Sequence, residues 1–114
     1  MDEALRQAGF GGVEALDGVI YARVRPEWPE FTCMAEGEGW QLAFAWPLRA
    51  TGAQMAGWTA LHPEVPMDLH AGETRIRMRV DGAESLQHWA QMVEQMVARC
   101  TLWRRETRQR DEGM

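Results

Sequence analysis

VIYARVR (Val19–Arg25), EFTCMAE (Glu30–Glu36) and GWQLAFAWPL (Gly39–Leu48) alternate side chains of two kinds, residue by residue. Strict alternation marks a strand with two unlike faces. Gly37-Glu38 separates the second and third stretches, and glycine at the first central position suits a type II′ hairpin turn. That turn pairs Glu36 with Gly39, Ala35 with Trp40, Cys33 with Leu42 and Phe31 with Phe44. Pro26-Glu27-Trp28-Pro29 connects the first two stretches and sets Arg25 opposite Glu30, Val24 opposite Phe31, Ala22 opposite Cys33 and Ile20 opposite Ala35. Both turns deliver one apolar face: Ile20, Ala22, Val24, Phe31, Cys33, Ala35, Trp40, Leu42, Phe44 and Trp46. A slip of one residue would send every side chain to the other face. The opposite face carries Tyr21, Arg23, Arg25, Glu30, Thr32, Met34, Gln41, Ala43 and Ala45. That mixture suits either water or a partner.

A second hairpin follows in VPMDLH (Val65–His70) and ETRIRMRV (Glu73–Val80), joined by Ala71-Gly72. The turn sets His70 against Glu73, Leu69 against Thr74, Asp68 against Arg75 and Met67 against Ile76. Val65, Met67, Leu69, Ile76, Met78 and Val80 form its apolar face, and Asp68, His70, Glu73, Arg75, Arg77 and Arg79 its ionic face. A row of arginines offers planar forks of donors to phosphate or carboxylate. The plainer account is a solvated face where Asp68 and Glu73 neutralise Arg75, because exposed ion pairs are common and contribute little.

Asp81-Gly82-Ala83-Glu84 has the spacing of a capping box, with Asp81 as N-cap. A helix is expected from about Ala83 to Trp103. Leu86, Trp89, Val93, Met96, Val97, Cys100 and Trp103 recur at helical spacing and make one apolar stripe to pack on the sheet. A short helix over Asp2–Ala8 turns Leu5 inward and stops at Gly9. Gly11-Gly12 interrupts it, and Val13–Leu16 is expected as a turn into the first strand. Ala53–Leu61 is expected as another short helix, ended by Pro63. Arg104–Met114 is polar throughout and is expected to be disordered. The fold class is therefore α+β: a three-strand meander plus a two-strand hairpin in an antiparallel sheet, with a long C-terminal amphipathic helix, in the order α-βββ-α-ββ-α. A single domain spans 1–103.

With 114 residues the chain suffices for one domain and not for two. A hydrophobic content of 46% makes it globular rather than disordered. A net charge of −5 argues against a nucleic-acid partner, since phosphate binding needs a basic footprint. No apolar run approaches the roughly 20 residues of a membrane helix. The acidic start MDEALRQAGF lacks a signal-peptide plan, so a cytoplasmic location is expected. All 12 basic residues are arginine, which reflects composition bias rather than function. Cys33 and Cys100 read as inward-facing small hydrophobes. Trp28 and Trp58 fall in loop or short-helix positions, where an exposed indole could anchor a partner.

Chemistry finds little foothold. Ser85 and His88 lie one turn apart without an orienting acid or an oxyanion site. His62, Asp68, His70 and Glu73 match no strong zinc spacing. The glycines at 9, 11 and 12 do not follow a dinucleotide-binding order. No catalytic residue, metal or cofactor is expected.

The element order, size, acidity and terminal amphipathic helix resemble the bacterial type III secretion chaperone-like fold over most of residues 2–103. The resemblance implies a homodimer that binds an extended segment of a protein client. Carried over, the partner-binding candidates are Tyr21 and Met34 on the mixed sheet face, with the indoles of Trp28 and Trp58. The alternative is a small-molecule or anion-binding protein, or a minor enzyme, using Arg75, Arg77, Arg79 and His70.

Overall fold

Residues 1–112 are described here from a computed structural model. Helix α1 (Asp2–Gln7) leads into strands β1 (Gly11–Leu16), β2 (Val19–Arg23), β3 (Phe31–Glu36) and β4 (Gly39–Trp46). Helix α2 (Gly52–Leu61) precedes β5 (Met67–His70) and β6 (Glu73–Val80). A 3₁₀ turn at Ala83–Ser85 then opens helix α3 (Leu86–Glu112). The strands form one antiparallel sheet in the order β1-β2-β3-β4-β6-β5. The α+β class and the element order stand as expected, with one additional strand.

That strand is β1, where a turn was expected. Asp17 at φ 52° and Gly18 at φ 80° make the left-handed pair of a type I′ hairpin turn. Leu16, Ala15 and Glu14 thus face Val19, Ile20 and Tyr21, before an irregularity between Gly11 and Glu14. The glycines and the weak alternation of GGVEAL hid the strand.

The β3–β4 hairpin has the expected register, from Glu36 opposite Gly39 to Cys33 opposite Leu42. Gly37 takes φ 60° while Glu38 stays in the ordinary half of backbone space, as a type II′ turn requires. The β5–β6 hairpin also keeps the expected pairs. The β2–β3 register is corrected: Ile20 faces Cys33 and Ala22 faces Phe31, two residues from the expected pairing. The connection through Trp28 is wider than a four-residue turn. A displacement of two keeps each side chain on its face, so the apolar surface survives the correction.

One side of the sheet is covered. Ile20, Ala22, Phe31, Cys33, Leu42, Phe44, Ile76, Met78 and Val80 are buried together with Leu86, Trp89, Val93, Met96, Cys100 and Trp103 of α3. Leu5 of α1 is completely buried with this layer, and Phe10 packs edge-on against Phe31, which does the same against Trp89. Ala35 lies outside this layer and is exposed, and Trp40 and Trp46 are half-buried.

Two helix starts differ from expectation. Asp81 does not cap α3; it pairs with Arg79 at 3.5 Å, and the 3₁₀ turn behind Gly82 has no side-chain cap. The capping box occurs on α2: Thr51 accepts from the Gln54 N–H at 3.1 Å, and Gln54 accepts from the Thr51 N–H at 2.9 Å. Helix α3 runs past Trp103 to Glu112 instead of giving way to a disordered tail at Arg104. Arg, Gln and Glu are good helix formers, and Arg104 donates to the Pro47 carbonyl at 2.6 Å. The last two residues of the expected tail lie outside the described ones.

Candidate functional site

The other side of the sheet has no helix on it. Register alone maps its rows. Arg23, Glu30, Ala45, Arg75 and Asp68 lie side by side across the strands. The next row is Glu14, Tyr21, Thr32, Ala43 and Arg77. The third is Leu16, Val19, Met34, Gln41 and Arg79. Leu16 and Met34 are 58% and 49% exposed, so this last row begins as a bare apolar strip.

A trough of about 590 Å³ runs over the middle of this face. Ala43, Ala45 and Thr32 give it a low floor, because none carries a long side chain. Glu30 and Glu36 stand on the β3 side, and Arg75, Arg77 and His70 on the β6–β5 side. Met34 also lines it. One concavity therefore unites Met34, a partner-binding candidate, with three of the four anion-binding candidates.

The arginines are largely engaged. Arg75 donates twice to Asp68, from Nε at 3.0 Å and from Nη2 at 2.9 Å. Arg77 shares the same carboxylate at 3.2 Å. Hydrogen bonds from Arg75 hold the Asp68 carboxyl below the usual carboxylate range, and the positive charges of Arg75 and Arg77 reinforce this against the opposing effect of burial. Two guanidiniums on one carboxylate leave this wall with one excess positive charge. The Nε of Arg77 is enclosed and has no hydrogen-bond partner. Arg79 turns away to Asp81. Opposite them, Arg23 and Glu30 pair at 3.8 Å.

The remaining candidates separate. Tyr21 is half-buried on the same face beside Thr32. Trp28 is half-buried near Arg25, edge-on to Trp46 at 6.3 Å between ring centres, with the Arg25 guanidinium 5.2 Å over its ring. Trp58 is corrected outright: it is a core residue, 4% exposed, and its indole N–H donates to the Val65 carbonyl at 2.7 Å. No surface is left on it for a partner.

No nucleophile is poised. Burial pushes the Cys33 and Cys100 thiols up to about 11, so both are neutral near pH 7. His88 turns to Glu64 at 3.4 Å, not to Ser85. Among the described residues, no three of His, Cys, Asp and Glu gather to hold a metal ion. None of the described helices is long and apolar enough to cross a membrane.

Alternation in the sequence had placed Ala43, Ala45 and Glu30 on this face without marking them as site residues. Their role depends on β6 pairing with β4, a contact between distant stretches that no local signal reports. Comparisons with family models, with curated proteins and with solved structures find no match.

Proposed function

We propose that this chain is a non-enzymatic protein-binding module and that the helix-free sheet face is its docking surface. One observation carries the reading: a single trough combines an alanine floor, the exposed thioether of Met34 and walls of opposite charge. Exposed apolar surface rimmed by charge is how soluble domains present a protein-docking site. In its chaperone-like form, which the architecture's resemblance favours, an extended client segment lies along the trough over Ala43 and Ala45.

The test is capture from native cells with the tagged chain and with Ala43→Arg, which fills the floor without touching the core. The expected result is one protein recovered in stoichiometric amount by the native chain and lost by the variant. Equal recovery by both would remove the face from consideration.

The second reading, an anion site on Arg75, Arg77, Arg79 and His70, draws on the unpartnered Nε of Arg77. The ion pairs favour it less, since Asp68 and Asp81 already occupy most of the donors. Arg77→Gln separates the two readings. Under the anion reading it abolishes binding of inorganic phosphate; under the docking reading the native chain binds no phosphate and loses its protein partner on Ala43→Arg.

A further inference from the structure

The row through Ala45 has an order of charges that one partner satisfies by construction. Across the strands it reads Arg23 positive, Glu30 negative, Ala45 neutral, Arg75 positive and Asp68 negative. Neighbouring strands lie about 4.8 Å apart, so these groups stand at nearly even steps on either side of β4. Read from the other end, every sign is reversed. A second copy turned by 180° about an axis lying along β4 in the plane of the face therefore sets its Glu30 over Arg75 and its Asp68 over Arg23. The converse contacts form on the far side of the axis.

We propose that the helix-free face pairs with the same face of a second copy of this chain, as a two-fold dimer with β4 on the axis. The inference rests on the reading of this face as a protein-docking surface and names its resident partner. A client would enter by displacing it.

The side chains on the axis allow the approach. Ala43 and Ala45 meet their own images, and neither extends beyond Cβ, so two sheets can close to the roughly 10 Å of face-to-face packing there. Gln41, the third β4 residue on this face, meets its own image, and its amide can both donate to and accept from that image. Away from the axis, Thr32 lies over Arg77 of the second copy and Met34 over the stem of Arg79. The partly exposed pairs Arg23–Glu30 and Arg75–Asp68 are worth little alone. Stacked on their reversed images they become two four-charge networks shielded from water, where each charge has an added opposite neighbour. A uniformly acidic or basic partner would instead meet like charges at half of these positions. Two-fold, self-complementary contacts are the commonest way identical chains associate.

Sedimentation equilibrium on the full chain tests this. The expected mass is twice 13.0 kDa. Glu30→Arg and Arg75→Glu each bring like charges together twice per dimer, and each should raise the dissociation constant by at least about a hundredfold. An equimolar mixture of the two variants should recover the dimer. In that pair the two reversed charges meet each other at one contact, and the native Glu30 and Arg75 meet at the other. Ala43→Glu, which leaves Arg75 and Asp68 untouched, should also dissociate the dimer by placing two carboxylates on the axis. Circular dichroism confirms that each variant is folded. A monomeric native chain overturns the proposal, and so does a dimer indifferent to all three substitutions. A monomer whose captured partner is still lost on Ala43→Arg keeps the docking face and removes only the self-pairing. A charge-sensitive dimer with unaltered capture does the reverse.

Discussion

Thr74 is the only polar side chain among the described residues that is completely buried, and it sits where the sheet meets the loop before α2. Its hydroxyl donates to the Leu48 carbonyl and accepts from the Ala50 N–H at 3.0 Å, while its own N–H donates to Leu48 at 2.9 Å. Thr74→Val keeps the shape and removes the hydroxyl, leaving the N–H of the buried Ala50 without its partner while the Leu48 carbonyl keeps the residue-74 N–H. Urea unfolding should show a loss of about 1–3 kcal/mol, and a change within a few tenths would mean the loop relaxes at no cost. ETRIRMRV shows Thr74 facing inward, but nothing in it names the loop that the hydroxyl ties down. The two cysteines give a pH signature. Their thiols rise from 9.0 to about 11 through burial. Below pH 9 both are neutral in the folded and unfolded chains, and their contribution to stability is complete. As pH climbs from 9 through about 11, the unfolded chain releases these protons first, so stability falls. The chain has no lysine, so few other side chains titrate there. Denaturant midpoints measured across this range should decline, and the decline should flatten in Cys33→Ala/Cys100→Ala.

Turns set the elements, and the turn at Ala71-Gly72 carries strain that its counterpart at Asp17-Gly18, in the hairpin at the opposite edge of the sheet, tolerates better. Both first positions sit at φ 52°. Aspartate accepts that conformation more readily than alanine, whose Cβ crowds the following carbonyl. Ala71→Asn should therefore stabilise the fold by about 1 kcal/mol, read as a higher melting temperature with the β5–β6 register unchanged. No gain would mean that the open face, not the turn, holds this hairpin in place. The same pair of turns explains what could be read from the sequence. Gly37-Glu38 and Ala71-Gly72 each sit between alternating stretches, and their hairpins keep the expected pairs. Asp17-Gly18 is a strong hairpin signal, yet GGVEAL has too little alternation to be recognised as a strand. Pro26–Pro29 resembles a tight connection, but the chain swings wide so that Trp28 packs on Trp46, and the register moves by two. At Asp81 the capping pattern is present, but Arg79 takes the carboxylate first.

At the scale of the molecule, one sheet carries all its helices on one side. Alternation in each stretch was enough to separate the covered face from the open one. It could not say that β6 lies beside β4, and without that pairing Glu30 and Arg75 are unrelated residues rather than the two flanks of a trough. The same asymmetry divides the chain by stability. Leu42, Phe44, Ile76 and Met78 lie on central strands directly beneath the buried stripe of α3. Val13 is the one residue of β1 that is even half-buried, and every residue of α3 after Trp103 through Arg110 is exposed. Local opening is governed by how much apolar contact must be broken, so backbone protection should follow this division rather than secondary-structure type. Hydrogen exchange on the native chain is expected to be slowest at the amides of β4, β6 and Trp89–Val97. It should be faster by at least about a hundredfold in β1 and in α3 beyond Arg104, although one is a paired strand and the other a continuous helix. Uniform protection along α3 would show that its last turns are held by something other than this core.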